Sequence, residues 1–244
     1  LLAAQQAATN AGLDPRQSEA VGALLQHRLV LLSGGPGTGK TSTVLAMLAA
    51  ALRQQPQLQI HLAAPTGKAA ARLDAAVRQG AQQIALEPTV AQALQALPCS
   101  TLHRLLEAQG DGRFRRDRRR PLELDLLVLD EMSMVDLPLM AALLAALPAQ
   151  ARLLLVGDPG QLPPVGAGAV LEELCRPERL KALGTAAIEL RTTYRNNGAI
   201  AALARCLREQ PAELMRQLNA LQADDNVQWW PCSSQRLPAP LIER

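Results

Sequence analysis

Apolar residues recur along this chain in short unbroken runs, each followed by a polar or glycine-rich turn and then by a stretch of helical periodicity. Arg28 to Ser33, Leu58 to Ala64, Leu124 to Leu129, Arg152 to Val156 and Ile188 to Leu190 read as strands. Between them, Thr41 to Arg53, Gly67 to Gln79 and Leu137 to Leu147 read as helices, the last bracketed by prolines. Strands that are apolar throughout must be covered on both faces, and strands separated by helices pair in parallel. The pattern predicts an α/β fold of three layers, α/β/α, around a central and mainly parallel sheet. Two stretches interrupt it: Ala81 to Cys99, rich in Ala, Gln and Leu, reads as helical, and Gln109 to Pro121 reads as a polar, Arg-dense loop. After about Gln210 the pattern lapses, and the tail to Arg244 carries Trp229-Trp230 and prolines that give it no clear place. There is no internal repeat.

Composition narrows the class. A length of 244 residues allows one or two domains with a sizeable core. Aromatic residues make up only 2%, so that core must be built from Leu, Ala and Val. The net charge of +3 is too mild to argue for a nucleic-acid partner by itself, but the arginines are clustered. Cys99, Cys175, Cys206 and Cys232 form no C-x-x-C pair and no zinc or disulfide spacing, which fits reduced cysteines and a cytoplasmic location. No apolar run is long enough for a membrane span, and the first residues lack the basic region of a signal peptide. The chain opens on Leu rather than Met, as a piece of something longer would.

The strongest chemistry lies in Gly34-Gly35-Pro36-Gly37-Thr38-Gly39-Lys40-Thr41, which matches G-x-x-x-x-G-K-[ST] between an apolar strand and a helix. In that setting glycines let backbone N–H groups turn inward around phosphates, and the helix N-terminus adds partial positive charge. Gly35, Pro36, Gly37, Thr38, Gly39, Lys40, Thr41 and Ser42 are therefore the candidate ATP-binding run. Lys40 would reach the β- and γ-phosphates and Thr41 would hold Mg²⁺. The apolar run Leu126 to Leu129 ends in Asp130-Glu131. A strand ending in two acids downstream of such a loop supplies a second Mg²⁺ ligand, Asp130, and a general base for the attacking water, Glu131. The fold expectation sharpens to a RecA-like P-loop NTPase.

Further segments choose among the many functions of that fold. Val156-Gly157-Asp158-Pro159-Gly160-Gln161-Leu162-Pro163-Pro164-Val165 resembles motif III of superfamily 1 helicases, and Asp130-Glu131-Met132-Ser133-Met134 resembles their motif II. Ala64-Pro65-Thr66-Gly67-Lys68-Ala69-Ala70 looks like motif Ia, and Ser100-Thr101-Leu102-His103-Arg104-Leu105-Leu106 like the DNA-contact motif that follows it. Leu13 to Gln17 looks like an adenine-reading Q motif and Tyr194-Arg195 like motif IV. Together these segments, spread from about Leu13 to Arg208, resemble the RecD-type alpha subunits of exodeoxyribonuclease V.

The resemblance implies a 5′ to 3′ ATP-dependent motor on single-stranded DNA, acting with beta and gamma subunits of a helicase-nuclease in double-strand-break repair and recombination. It implies that Gln17 bonds adenine, that Tyr194 packs near the base, that Gln161 senses the γ-phosphate and that Arg195 contacts it. It also implies that Pro65, Thr66, Lys68, Thr101 and His103 line the single-strand path. Plainer roles stand beside these: Gln17 as a surface residue, His103 as an ordinary helix residue, Lys68 and Arg72 as a solvated face, Tyr194 as core. A stand-alone RecD-like helicase, or a fragment that binds ATP and DNA without turnover, are the alternative functions.

Residues 1–210 are expected to form the motor domain, with 81–121 as an insertion, and 211–244 to begin a second motor domain or form a tail. No later helicase motif and no nuclease-like acidic cluster appears. The arginines from Arg113 to Arg120, with Phe114 among them, fit a solvated loop, a phosphate-contacting arm or a docking site for an acidic partner.

Overall fold

The computed structural model of the chain describes residues 12–83, 86–110, 112–194 and 199–220. The chain divides into two compact units, Leu1–Thr192 and Thr193–Arg244. In the first unit, helix α1 (Pro15–Gln26) leads into strand β1 (Leu29–Gly34) and helix α2 (Lys40–Gln54). Strand β2 (Ile60–Ala64), helix α3 (Gly67–Gln83), helix α4 (Pro88–Gln95), strand β3 (Cys99–Thr101) and the short helix α5 (Leu102–Leu105) follow. Strand β4 (Leu126–Leu129), a 3-10 turn (Met132–Met134), helix α6 (Leu137–Ala146) and strand β5 (Arg152–Gly157) come next. Helices α7 (Val170–Leu174) and α8 (Pro177–Leu183) and strand β6 (Ala187–Leu190) complete the unit.

The strands form one six-stranded sheet in the order β3-β2-β4-β5-β1-β6. Every pairing in it is parallel. Strand residues alternate between two cores, as a period of two requires. Val30, Leu32, Leu62, Leu126, Val128, Leu154 and Val156 pack with α1 to α4 on one face. Leu31, Ala63, Leu127, Leu129, Leu153 and Leu155 pack with α5, α6 and α7 on the other. Because both faces are covered, β1, β4 and β5 carry unbroken apolar runs, Leu29 to Leu32, Leu126 to Leu129 and Leu153 to Val156, and the α/β/α layering follows.

Local signals set the helix starts. Asp14 caps α1: its Oδ1 accepts the Gln17 N–H at 2.8 Å, and the Asp14 N–H donates to Gln17 Oε1 at 3.0 Å, closing a capping box. Asp136 Oδ1 accepts from Leu139 N at 2.9 Å and starts α6. That helix is apolar all round, yet buries only Leu139, Met140, Leu143 and Ala146 and leaves Leu137 and Leu144 exposed.

Two details differ from the sequence reading. Cys99, read as the end of a helical stretch, instead opens the edge strand β3, which pairs Leu62 with Cys99 and Ala64 with Thr101. The stretch before it holds the end of α3 and the separate helix α4. Three residues with no apolar run offer too little periodicity to be recognised without their neighbour strand.

The second unit contributes helices α9 (Ala199–Glu209) and α10 (Leu214–Asn219), with Cys206 of α9 buried and its thiol donating to Gln210 O at 3.3 Å. Trp229, Trp230 and Cys232 lie outside the described residues. Among the described residues no helix is long and apolar enough to cross a membrane.

Candidate functional site

All strands of a parallel sheet point their C-terminal ends the same way, so the loops after β1, β4 and β5 converge at one rim. The loop after β1 turns on Gly37 (φ 76°) and Gly39 (φ 82°), in the left-handed region that glycine adopts without strain. A Cβ on Gly34 would lie 2.7 Å from Thr38 Oγ1 and 2.9 Å from Leu190 O, so that position has no room for a side chain. Lys40 Nζ donates to Gly34 O at 2.6 Å and to Gly35 O at 3.0 Å, and Thr38 Oγ1 donates to Gly35 O at 2.8 Å. Ser42 Oγ and Thr43 Oγ1 both donate to Gly39 O, at 2.9 and 2.8 Å. Helix α2 begins with no side-chain cap, so its first N–H groups and its dipole are available to an anion at the loop. Thr41 and Ser42 are exposed at that helix start.

Asp130 follows β4, and its N–H donates to Ala63 O at 2.9 Å, carrying the ladder one residue past the strand. Burial pushes its carboxyl pKa up, against a hydrogen bond from the Glu131 backbone; the Glu131 carboxylate adds to the rise, and the charges of Arg72 and Lys40 oppose it. Glu131 stands at φ 53°, unusual for a residue with a side chain and a conformation that concentrates at functional sites. Its Oε1 is 2.7 Å from Arg72 Nη2 on α3.

Asp158 follows β5 and is buried, with Oδ1 accepting from Gly160 N at 2.9 Å and its carbonyl from Gln161 N at 3.1 Å. The turn after β5 is held against the turn after β4: a Cβ on Gly157 would meet Leu171 Cδ2 at 2.7 Å and Met132 Cβ at 3.1 Å. Burial lowers the pKa of Lys40, while Asp158, Asp130 and Glu131, in that order, favour its charged form. The four groups thus share one electrostatic field, although they come from three strand ends. An ammonium, three carboxylates and a ring of inward backbone donors can hold a polyphosphate with a hard divalent cation.

The candidate strand-contacting residues fall beside this rim, on the β2–β3 edge. Thr66 Oγ1 accepts from Ala69 N at 3.2 Å and starts α3, next to Pro65, and Lys68 is exposed in the first turn. Thr101 Oγ1 accepts from Arg104 N at 3.2 Å and starts α5. His103 is exposed, with its ring 5.9 Å from that of Phe114 and tilted by 51°.

The remaining candidates are less concentrated. Gln17 is buried in the first turn of α1, its side-chain oxygen already accepting from Asp14. Tyr194 is exposed and belongs to the second unit. Arg195 lies outside the described residues.

The Arg-dense stretch is a structured tongue. Ala108 bridges Phe114 and Asp117 bridges Arg120, both antiparallel. Arg116 is partly buried and pairs with Glu107 at 2.7 Å and Glu123 at 3.5 Å, so it serves the fold of the tongue. Asp117 Oδ1 accepts from the N–H groups of Arg119 and Arg120 at 2.8 and 3.0 Å, which turns the tip. The side chains of Arg118, Arg119 and Arg120 are exposed and make no ion pair among the described residues.

Ser133 and Asp158 enter the site without a role having been given to them, and Arg72 enters it from what the sequence offered as a solvated face. Ser133 is buried and its Oγ donates to Gln161 Oε1 at 3.1 Å. Asp158 is the first charge opposing the depression of the Lys40 pKa. Arg72 reaches Glu131 across 59 positions. Ser133 and Asp158 sit inside motif-like segments and were open to a closer reading, whereas no local pattern announces the partner of Arg72.

A protein-family model described as an AAA domain matches residues 17–167. The chain is 45% identical over 226 residues to the RecBCD enzyme subunit RecD of Mycolicibacterium smegmatis, spanning 90% of this chain and 39% of that protein. It is 46% identical over 202 residues to the protein of the same description from Mycobacterium tuberculosis, spanning 34% of that protein. It is 44% identical over 165 residues to the ATP-dependent RecD2 DNA helicase of Deinococcus radiodurans, spanning 68% of this chain and 20% of the relative. Among solved structures, the Pif1 helicase from Candida albicans superposes with a TM-score of 0.54 at 20% identity, covering 93% of this chain and 50% of that one. At that identity the likeness concerns the fold.

Proposed function

The chain belongs to the AAA-domain family and is related to the RecD-type helicases, and on that premise we propose that it is the ATP-hydrolysing motor domain of a DNA helicase moving 5′ to 3′ on single strands. The observation that carries the reading is the convergence of Lys40, Asp130, Glu131 and Asp158 on one rim, with Gln161 tied to the motif that holds the acids. ATP lies along Gly35 to Ser42, with Lys40 on its β- and γ-phosphates. The donor set suits Mg²⁺: Thr41 offers an exposed hydroxyl, and Asp130 a carboxylate whose burial makes a cation welcome. The ion supplies charge neutralisation at the phosphates. Glu131 orients and deprotonates the attacking water, and Gln161 reports the γ-phosphate. Arg195 supplies positive charge to the same phosphate, and Gln17 and Tyr194 contact the base.

Pro65, Thr66, Lys68, Thr101 and His103 form the single-strand path on the β2–β3 edge. The natural assembly is a helicase-nuclease with beta and gamma partners in double-strand-break repair.

The test is ATP turnover by the chain with and without single-stranded DNA, using Glu131→Gln as the blank. DNA-stimulated turnover lost in that variant supports the reading. Bound nucleotide without turnover assigns the chain to half of a motor completed elsewhere. Absence of nucleotide binding overturns the reading.

A further inference from the structure

Arg72 lies four residues beyond Lys68 on α3, one turn along the same face. Its guanidinium is the ion-pair partner of Glu131, at 2.7 Å, and the two groups differ sharply in exposure: 71% for the Arg72 side chain, 16% for Glu131. The pair therefore runs from a solvent-facing helix, at the edge assigned to the strand path, into the rim assigned to the nucleotide. Arg72 also opposes the rise in the Asp130 pKa and adds to the depression at Lys40, so its charge is felt across the same rim. A carboxylate oxygen that accepts a charge-assisted hydrogen bond from a guanidinium is occupied, and is not free to accept one from water. A guanidinium exposed on one side is, in turn, well shaped for a phosphate diester.

Resting on the motor reading above, we propose that Arg72 is a positioning residue that clasps Glu131 at rest and is drawn off by a single-strand phosphate, releasing the carboxylate to the attacking water. No other element need move for the two sites to communicate, because one side chain serves both. An exposed ion pair is worth a factor of about two to five in an equilibrium, small enough for a single phosphate contact to reverse. Linkage makes the effect reciprocal: whatever weakens the hold of Glu131 on Arg72 strengthens the binding of DNA.

The experiment measures the affinity of the full chain for a fluorescein-labelled oligothymidylate by anisotropy at fixed salt. The proteins are wild type, Glu131→Gln, Arg72→Gln and the double variant. Glu131→Gln is expected to tighten binding about two- to fivefold, Arg72→Gln to weaken it, and the double variant to bind no better than Arg72→Gln alone. DNA-free ATP turnover should rise in Arg72→Gln and lose its response to DNA, with Arg72→Lys recovering part of that response. A gain from Glu131→Gln that persists in the Arg72→Gln background would be a general charge effect and would overturn the proposal, as would no gain at all. If no variant binds the oligothymidylate, the motor reading itself fails and the clasp falls with it.

Discussion

The buried Ser133 hydroxyl donates to Gln161 Oε1 at 3.1 Å, so the turn after β4 and the turn after β5 are joined by one side-chain hydrogen bond. The bond fixes which end of the Gln161 amide faces Ser133 and leaves the NH₂ group outside that contact. Ser133→Ala frees the amide to rotate. DNA-stimulated turnover is expected to fall about fivefold, the worth of one hydrogen bond of about 1 kcal/mol, with little change in KM for ATP. An unchanged kcat would show that Gln161 does not depend on Ser133.

Asp130 has its carboxyl pKa raised by burial. A raised pKa means that the folded protein prefers the neutral acid. Stability is therefore fully present below the ordinary carboxylate pKa and is lost as pH rises through the folded value. Asp130→Asn should raise the melting temperature of the nucleotide-free protein near neutral pH by about 2–4 °C, the shift that ~1 kcal/mol gives in a domain of this size. The gain should vanish near pH 4, which thermal melts across that range will show.

The sites that carry this chemistry were legible to very different degrees. Gly34 to Thr41 and Asp130-Glu131 could be placed from sequence because each follows an apolar run that can only be a covered strand. The alternation that splits Val30 and Leu31 between two cores is invisible there, since every position is apolar. The start of α1 was marked by Asp14 and Gln17, a capping-box spacing, but β3 was too short to be seen. Arg72 read equally well as a solvated residue, because its partner is brought near only by the β2–β4 pairing.

Cys99 is half-buried under α3, with Sγ donating to Ala70 O at 3.2 Å, and burial, followed by the charge of Asp74, pushes its thiol from the ordinary 9.0 to about 11. The thiolate is the reactive form. Iodoacetamide at pH 8 should label Cys99 on the order of a hundredfold more slowly than an ordinary thiol, and the rate should climb with each pH unit towards 11. Peptide mapping by mass spectrometry reads the difference. Fast labelling at pH 8 would place the thiol in solvent.

Arg118, Arg119 and Arg120 crown a tongue whose shape is held by Arg116 and Asp117 instead. Replacing the three with Gln should leave folding intact. If they meet phosphates, the slope of log affinity for single-stranded DNA against log salt should flatten by about 2. An unchanged slope would return them to the solvated role.

The backbone of Glu131, at φ 53°, carries a further consequence. A chain shaped for folding alone would place glycine or asparagine there, since either enters the left-handed region at less expense. Selection of variant libraries for heat resistance alone should therefore enrich those residues at position 131, and every such winner would have discarded the carboxylate. Position 131 is where persistence of the fold and performance of the motor pull in opposite directions, and a screen that measures only the first will breed out the second.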